Sequence, residues 1–500
     1  MISLKGCCRS VSTSGRYECK KRLRKHHLIR ALSSIVSSQP MLRVGIDIDR
    51  DRPERSKHFL HLESIDLSSH VFFHKLEDRA AGEDEDEDSK EGEEKGLMKR
   101  LQDIHDMMWT HLNKRPPWKL FVFSYDDDDD DQQKQDINNN KKVVIVYDIV
   151  FVFHHALMDG ISGRNFHQLL RRALNDYCYG NNNHDDSNET ILFFPNDKPT
   201  IIPAPQDQAI PFNLGLGIKL KIRAAVLAYR LLYKPAAKKP DPDPDLKKAS
   251  NSRLLAINLP ASSVASLVAG CRARKTTVTA ILHALIMTSL ARRLSDSSSS
   301  LKSSSFRATT TIDLRRYLDE DDDNIKDGNR GQLRLLATIY PHQVAPSDVL
   351  LAIGQQQDDE WRNSPCYPPL LSDPKCVLHV AFNEKEPCHS FLSNVGLLLL
   401  DDDDDKKQDD DIAAFCHISR LRFAHLPFSD GGPPIFVSVA SVAGGDMTII
   451  IGWTHGLVVS DELVNGLAHD LGAWTKAFAQ SGRFFSPAAA SPSTSSSSPA

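Results

Sequence analysis

No stretch of these 500 residues reaches the ~18 uncharged apolar positions that a membrane-spanning helix needs. The nearest approach, Val143 to Phe153, is shorter and carries Asp148. The opening segment Met1 to Ser14 lacks the apolar core of a secretory signal. Cysteine occurs nine times, an odd number, scattered from Cys7 to Cys416 without the paired spacings of a disulfide framework or a zinc site. That pattern points to reduced thiols in a cytoplasmic setting. Gly (25) and Pro (27) are too few for a collagen-like or wholly disordered chain. There is no Gly-x-Ser-x-Gly elbow and no activated cysteine.

What is present is a core-forming composition with segregated charge. Hydrophobic residues make up 40% and charged residues 25%, near globular averages. The formal charge of −5 is dominated by four acidic tracts, at Glu83 to Glu94, Asp126 to Asp131, Asp319 to Asp323 and Asp401 to Asp411. Removing their 28 acids and three lysines leaves +20. Read as solvated loops, the tracts imply a basic folded body suited to an anionic small molecule. Homopolymeric aspartate without Gly punctuation or a closing Glu is not a calcium loop. The basic run Lys20 to Lys25 has no nucleic-acid fold signature beside it and reads as a solvated helix face. A faint transit-peptide character of the first thirty residues, and peripheral association with a membrane or lipid droplet, stay open.

Strand and helix patterns interleave along the chain. Residues 1–27 read as a weakly ordered N-terminus. His27 to Val36 has helical apolar spacing, Leu42 to Ile48 alternates as a strand, and Lys57 to Phe73 gives two short strands. Leu97 to Leu112 is an amphipathic helix ended by Pro116-Pro117. Trp118 to Phe123 and Val143 to Phe153 are strands, the second β-branched and aromatic enough to be central and buried. Lys219 to Leu232 is helical, and residues 234–250 are the best linker. Beyond it come a strand (Arg253 to Leu259), two helices (Ser262 to Cys271, and Val278 to Leu294 capped by Thr277) and a strand from Phe306 to Ile312. Two strands (Ile435 to Val442, Met447 to Trp453) and a helix (Asp461 to Phe478) close the fold, before a Ser/Pro/Ala-rich tail at 481–500. The organisation predicts an α/β protein of two similar lobes, 28–233 and 251–480.

One segment carries chemistry. His154-His155-Ala-Leu-Met-Asp159-Gly160 follows the buried strand at once and opens a helix whose apolar face includes Phe166, Leu170 and Leu174. A strand end fixes the backbone while the turn exposes side chains. Adjacent residues there point in opposite directions, so one histidine faces outward while the other packs. A neutral imidazole, with a reference pKa of ~6.5, can take an alcohol proton near neutral pH. The competing reading is a His pair that only packs and hydrogen-bonds. No third ligand at metal spacing accompanies it. Of the other histidines, His283 and His167 read as core residues, while His455 stays open between surface and pocket.

HHALMDG resembles the HHxxxDG signature of the CoA-dependent acyltransferase superfamily, which includes chloramphenicol acetyltransferase and peptide-synthetase condensation domains. Further blocks resemble the fungal alcohol acetyltransferase family. They are QPMLRV (Gln39 to Val44), PPWKLFV (Pro116 to Val122), FHHALMDGISGRNFHQLL (Phe153 to Leu170), TTVTAILHAL (Thr276 to Leu285), IDLRR (Ile312 to Arg316), SNVG (Ser393 to Gly396) and WTHGLVVSDEL near the end. The histidine block is the specific one; the others carry weight as an ordered set over roughly 28–478. The family's opening strand is poorly matched before Arg30.

The resemblance implies two chloramphenicol-acetyltransferase-like lobes, with mixed sheets flanked by helices and an active-site channel between them. It implies acetyl transfer from acetyl-CoA, a co-substrate rather than a bound cofactor, to a small or medium alcohol, by a monomer without nucleic acid or metal. His155 would be the general base and His154 supporting. Asp159 would turn from the channel to pair with Arg315, and Gly160 would give the sharp turn and close approach. Ser393 and Asn394 are candidates for oxyanion or substrate contacts, against a turn ending a strand. The alternatives are a longer acyl donor or an amine acceptor, as in wax ester, diacylglycerol or condensation chemistry, and a non-catalytic ligand binder. The plant-type sequence DFGWG is absent from the C-terminal region.

Overall fold

The computed structural model describes residues 10–48, 57–76, 87–125, 144–179, 190–197, 201–210, 252–296, 306–318, 332–344, 390–399, 415–427, 433–455 and 459–482, with isolated positions between 216 and 224. The expected helix from Lys219, the 234–250 linker, most of the 481–500 tail and three of the acidic tracts lie wholly or largely outside these residues.

The first half contains β1 (Val11–Cys19), α1 (Lys25–Ser38), β2 (Val44–Ile48), β3 (Lys57–His61), β4 (Ser64–Asp66), β5 (Val71–Lys75), α2 (Glu87–Asp106), β6 (Trp118–Ser124), β7 (Ile145–Phe153), α3 (Gly160–Tyr179) and β8 (Ile191–Phe193). The second contains β9 (Ser252–Leu259), helices Ala261–Ala273 and Val278–Asp296, β10 (Phe306–Asp313), β11 (Ala337–Val344), β12 (Ser390–Leu398), β13 (Cys416–His425), β14 (Ile435–Val442), β15 (Met447–Thr454) and helix Asp461–Ser481. Two mixed sheets dominate, ordered β13-β1-β7-β6-β5 and β11-β10-β12-β14-β15-β9. Helix α3 covers the first sheet through Phe166, Leu170 and Leu174, with Phe166 stacked on Phe151. The helix Asp461–Ser481 covers the second through Val464, Leu467 and Leu471. Its Ser460 side chain accepts from the Leu463 N–H and Gly482 closes it in the left-handed conformation, so both ends are capped. The Thr277 hydroxyl accepts from the Ala280 N–H at 3.2 Å and starts the other long helix as expected.

Three expectations need correction. The segment 1–27 is not weakly ordered throughout, because β1 is an interior strand paired antiparallel to both β7 and β13. Its hydroxyl-rich sequence VSTSGRYEC hides this. Burial comes from neighbours on both edges, leaving Ser12, Thr13 and Ser14 inside.

The lobe boundary is also not a clean cut at residue 250. Strand β13, from the C-terminal half, crosses over to the edge of the first sheet. In the same region Asp106 of α2 accepts from the Ser252 hydroxyl at 2.6 Å, and Gln102 donates to the Leu254 carbonyl.

The tract Glu83 to Glu94 is not wholly a solvated loop. From Glu87 it is α2, and Glu93 and Glu94 are buried. Arg16 donates to Glu93 at 2.6 Å. Arg422 grips Glu94 through Nε and Nη2 (2.8 and 2.7 Å) and Asp148 through Nη1 (2.8 Å), while Tyr125 donates to the second Asp148 oxygen. Burial works to raise the Glu94 pKa, but Arg422 outweighs it and the carboxyl sits below its usual range. The charges therefore fasten α2 and β7 to the crossover strand.

Candidate active site

Strand β7 ends at Phe153 and delivers the histidine pair to the junction of the two sheets. The His154 N–H donates to the Pro117 carbonyl at 2.9 Å, and its Nδ1 accepts from the Ala156 N–H at 3.1 Å. This side chain is buried. Burial, with the neighbouring His155 charge, pushes its pKa down to about 4, so it is neutral at pH 7. His155 faces the other way, into a cavity of about 650 Å³. Its Nδ1 lies 2.9 Å from the Met158 carbonyl oxygen. A carbonyl only accepts, so Nδ1 carries the hydrogen and Nε2 is left with its lone pair.

Asp159 borders the cavity, yet its carboxylate is fully engaged. Arg315 binds it bidentately, Nη1 to Oδ2 and Nη2 to Oδ1, both at 3.0 Å. The backbone N–H groups of Ser162 (2.9 Å) and Leu336 (2.8 Å) complete the set. Burial alone would raise the Asp159 pKa; the Arg315 charge and these donors hold it below the usual carboxylate range. Arg315 also donates to the Ser162 hydroxyl and the Arg334 carbonyl, which knits the start of α3 to the segment between β10 and β11. Gly160 is required for space rather than for an unusual φ. A Cβ there would lie 2.5 Å from Val395 Cγ1 and 2.7 Å from the Phe423 ring.

Ser393 and Asn394 stand within β12, not in a turn that ends it. The parallel register with β14 slips between Asn394 and Leu397, and Gly396 takes φ +74°. Within this bulge the Asn394 Oδ1 accepts from the Gly396 N–H (2.8 Å) and its Nδ2 donates to Thr279 Oγ1 (3.0 Å). That carboxamide is therefore committed to holding the bulge. Ser393 accepts from Thr311 Oγ1 at 3.0 Å, which leaves its own O–H to donate in another direction. Both residues line the cavity with His155, Asp159 and Gly160, whereas His154 and Arg315 do not.

Sequence reasoning missed two neighbours. Arg164, on α3, donates through Nη1 to the carbonyls of Val395 (2.8 Å) and Leu397 (3.1 Å), clamping the bulge from the other lobe. His425, the last residue of β13, also lines the cavity. Its ring stands nearly perpendicular to that of His155, with centroids 5.1 Å apart. Burial first, then the nearby His155 and His105, pull its pKa well below the ordinary value. The alternation of RFAH in β13 was the available signal, but only the crossover puts it here. His167 and His283 are buried, as core readings expect. His455 is half exposed, pairs with Asp461, and is not a cavity residue. Among the described residues no cluster of three or more His, Cys, Asp or Glu is arranged to hold a metal, and no helix is long and apolar enough to cross a membrane.

Comparison with known proteins identifies the family and the fold. A sequence model of the alcohol acetyltransferase family matches residues 7–331. A protein of Fusarium pseudograminearum (strain CS3096) named probable alcohol acetyltransferase FCK4 is 25% identical over 490 residues, covering 91% of this chain and 86% of the relative. Among solved structures, the trichothecene 15-O-acetyltransferase TRI3 of Fusarium sporotrichioides superposes with a TM-score of 0.61 at 14% identity, covering 94% of this chain and 93% of the other. The first condensation domain of the CDA synthetase gives 0.51 at 11% identity, covering 96% and 93%. These similarities show the two-lobed acyltransferase fold, and the family match covers well over half of the sequence. The chain belongs to the alcohol acetyltransferase family and is an acyltransferase.

Proposed function

We propose that the protein moves an acetyl group from acetyl-CoA to the hydroxyl of an alcohol, with His155 as the general base. The observation that supports this reading is the hydrogen bond from His155 Nδ1 to the Met158 carbonyl, which leaves Nε2 free to accept a proton on a residue that lines the cavity. Nε2 takes the hydroxyl proton as the alcohol oxygen bonds to the thioester carbonyl carbon. The carbonyl oxygen becomes an oxyanion, and the Ser393 O–H, oriented by Thr311, donates to it. Collapse of the tetrahedral species breaks the carbon–sulfur bond. The imidazolium then returns its proton to the departing thiolate, giving ester and free CoA. His154 keeps the turn in shape, and Asp159 with Arg315 fastens the motif to the second lobe.

The test is product identification. Purified protein is mixed with acetyl-CoA and a panel of alcohols, with thiol release followed by colour and the ester identified by mass spectrometry. Thiol release with a matching acetyl ester supports the reading. Release only with longer acyl-CoA donors, or only with amines, replaces it by the neighbouring chemistries.

A further inference from the structure

We propose that the cavity selects a neutral alcohol with a bulky hydrocarbon body, and that Ile46 and Phe59 form the specificity-determining wall. This rests on the acetyl-transfer reading above, since a two-carbon acyl group leaves most of the space to the acceptor. The cavity, at about 650 Å³, falls in the range of sites that enclose drug-sized ligands. Among the described residues no lysine or arginine lines it, and the lining histidine His58 lies 3.5 Å from Asp47. Its two carboxylates, Asp159 and Asp313, are both held by Arg315. The hydroxyl and amide groups of Thr311, Ser393 and Asn394 bond to one another or to Thr279 and Gly396. A charged acceptor would lose its hydration in a lining whose described charged groups already face partners of their own.

The remaining lining is largely apolar and includes Ile161 and Phe391. Leu335 and Ile339 belong to it while staying 38% and 43% exposed, an apolar rim that a hydrocarbon occupant would cover. The paired strands β2 and β3 supply part of the wall, where Ile46 and Phe59 are register partners and both border the cavity. Strand β2 is anchored, because the Ile46 N–H donates to the Leu112 carbonyl at 2.7 Å and a Cβ on Gly45 would meet that same oxygen at 2.8 Å. These two side chains belong to neither large sheet and border the cavity that His155 lines, so their size sets part of its volume.

The experiment measures kcat/KM with acetyl-CoA for n-butanol, n-hexanol, n-decanol, menthol and hydroxyhexanoate, and the binding of menthol by calorimetry. Each added methylene should raise kcat/KM by about fourfold until the cavity is filled. Menthol should rank with decanol, and hydroxyhexanoate should fall on the order of a hundredfold below hexanol. Enlarging the wall with Ile46→Phe should lower the menthol-to-butanol ratio of kcat/KM, and Phe59→Ala should raise it. Equal rates for butanol and decanol, or for hexanol and hydroxyhexanoate, overturn the proposal. So does a rate that follows acyl-chain length while ignoring the alcohol, which would give the space to the donor. Menthol binding without thiol release from any acyl-CoA would uphold the pocket assignment and reject the transfer reaction instead.

Discussion

Arg315 reaches from the second lobe to hold both carboxylate oxygens of Asp159 at 3.0 Å, immediately before the helix that follows the histidine pair. The pair is buried and shares Ser162 and Arg334 with its surroundings, so its loss strands a charge inside the protein. Replacing Asp159 by Ala should cost about 3–5 kcal/mol in denaturant unfolding. Because the folded Asp159 pKa is depressed, its contribution is complete above the unfolded carboxylate pKa and is lost as pH falls through the lower folded value. Comparing wild type with Asp159→Asn from pH 7 down to pH 3 should show the wild type losing its advantage at the acid end.

Buried neutral histidines give a second, separate pH dependence. Burial holds His70, His105, His154 and His167 at about 4, below the unfolded ~6.5. Between those values the unfolded chain binds the proton and the native chain does not. Stability is therefore complete above pH ~6.5 and falls toward pH 4, by up to about 1.4 kcal/mol per pH unit for each histidine. His105→Gln, which removes the ring that bonds the Ser12 hydroxyl, should give a shallower slope when urea midpoints are compared at pH 7.5 and 5.

The bulge in β12 yields a kinetic prediction. If Ser393 supplies an oxyanion donor, Ser393→Ala lowers kcat by about 10²–10³ with little change in KM for acetyl-CoA. Arg164→Ala, which frees the carbonyls of Val395 and Leu397, should lower kcat through the same bulge. The two losses should then be less than additive in the double variant. Fully additive losses would place Arg164 outside this arrangement.

Gly160 gives a packing prediction. A methyl group there collides with Val395 and Phe423, and overpacking of this kind costs about 1–3 kcal/mol. Gly160→Ala should lower the melting temperature, and Val395→Ala in the same chain should recover part of the loss. A Gly160→Ala protein as stable as the wild type would remove the steric argument.

Local patterns that matched local physics were legible in the sequence. The run into Phe153 reads as a buried strand and is one, and the helical face of Phe166, Leu170 and Leu174 packs as its spacing requires. The turn between them could be placed for the same reason. What stayed hidden depends on the crossover. Strand β1 has no apolar alternation to announce it, because pairing on both edges buries even its serines. Glu93 and Glu94 look like part of a solvated acidic run until Arg16 and Arg422 arrive from strands far away in sequence. His425 and Arg164 gain meaning only when β13 and β12 are brought to the motif, which spacing along the chain does not encode.

The assignment of His155 is tested most directly by His155→Gln, which keeps a polar side chain of similar reach but no basic imidazole. Thiol release and ester formation from acetyl-CoA are measured for this variant and the wild type at pH 7.5, with folding checked by circular dichroism. The account predicts a folded protein whose kcat falls by about 10²–10⁴. A folded His155→Gln protein that makes ester within about threefold of the wild-type rate, far short of a general base's contribution, would contradict it.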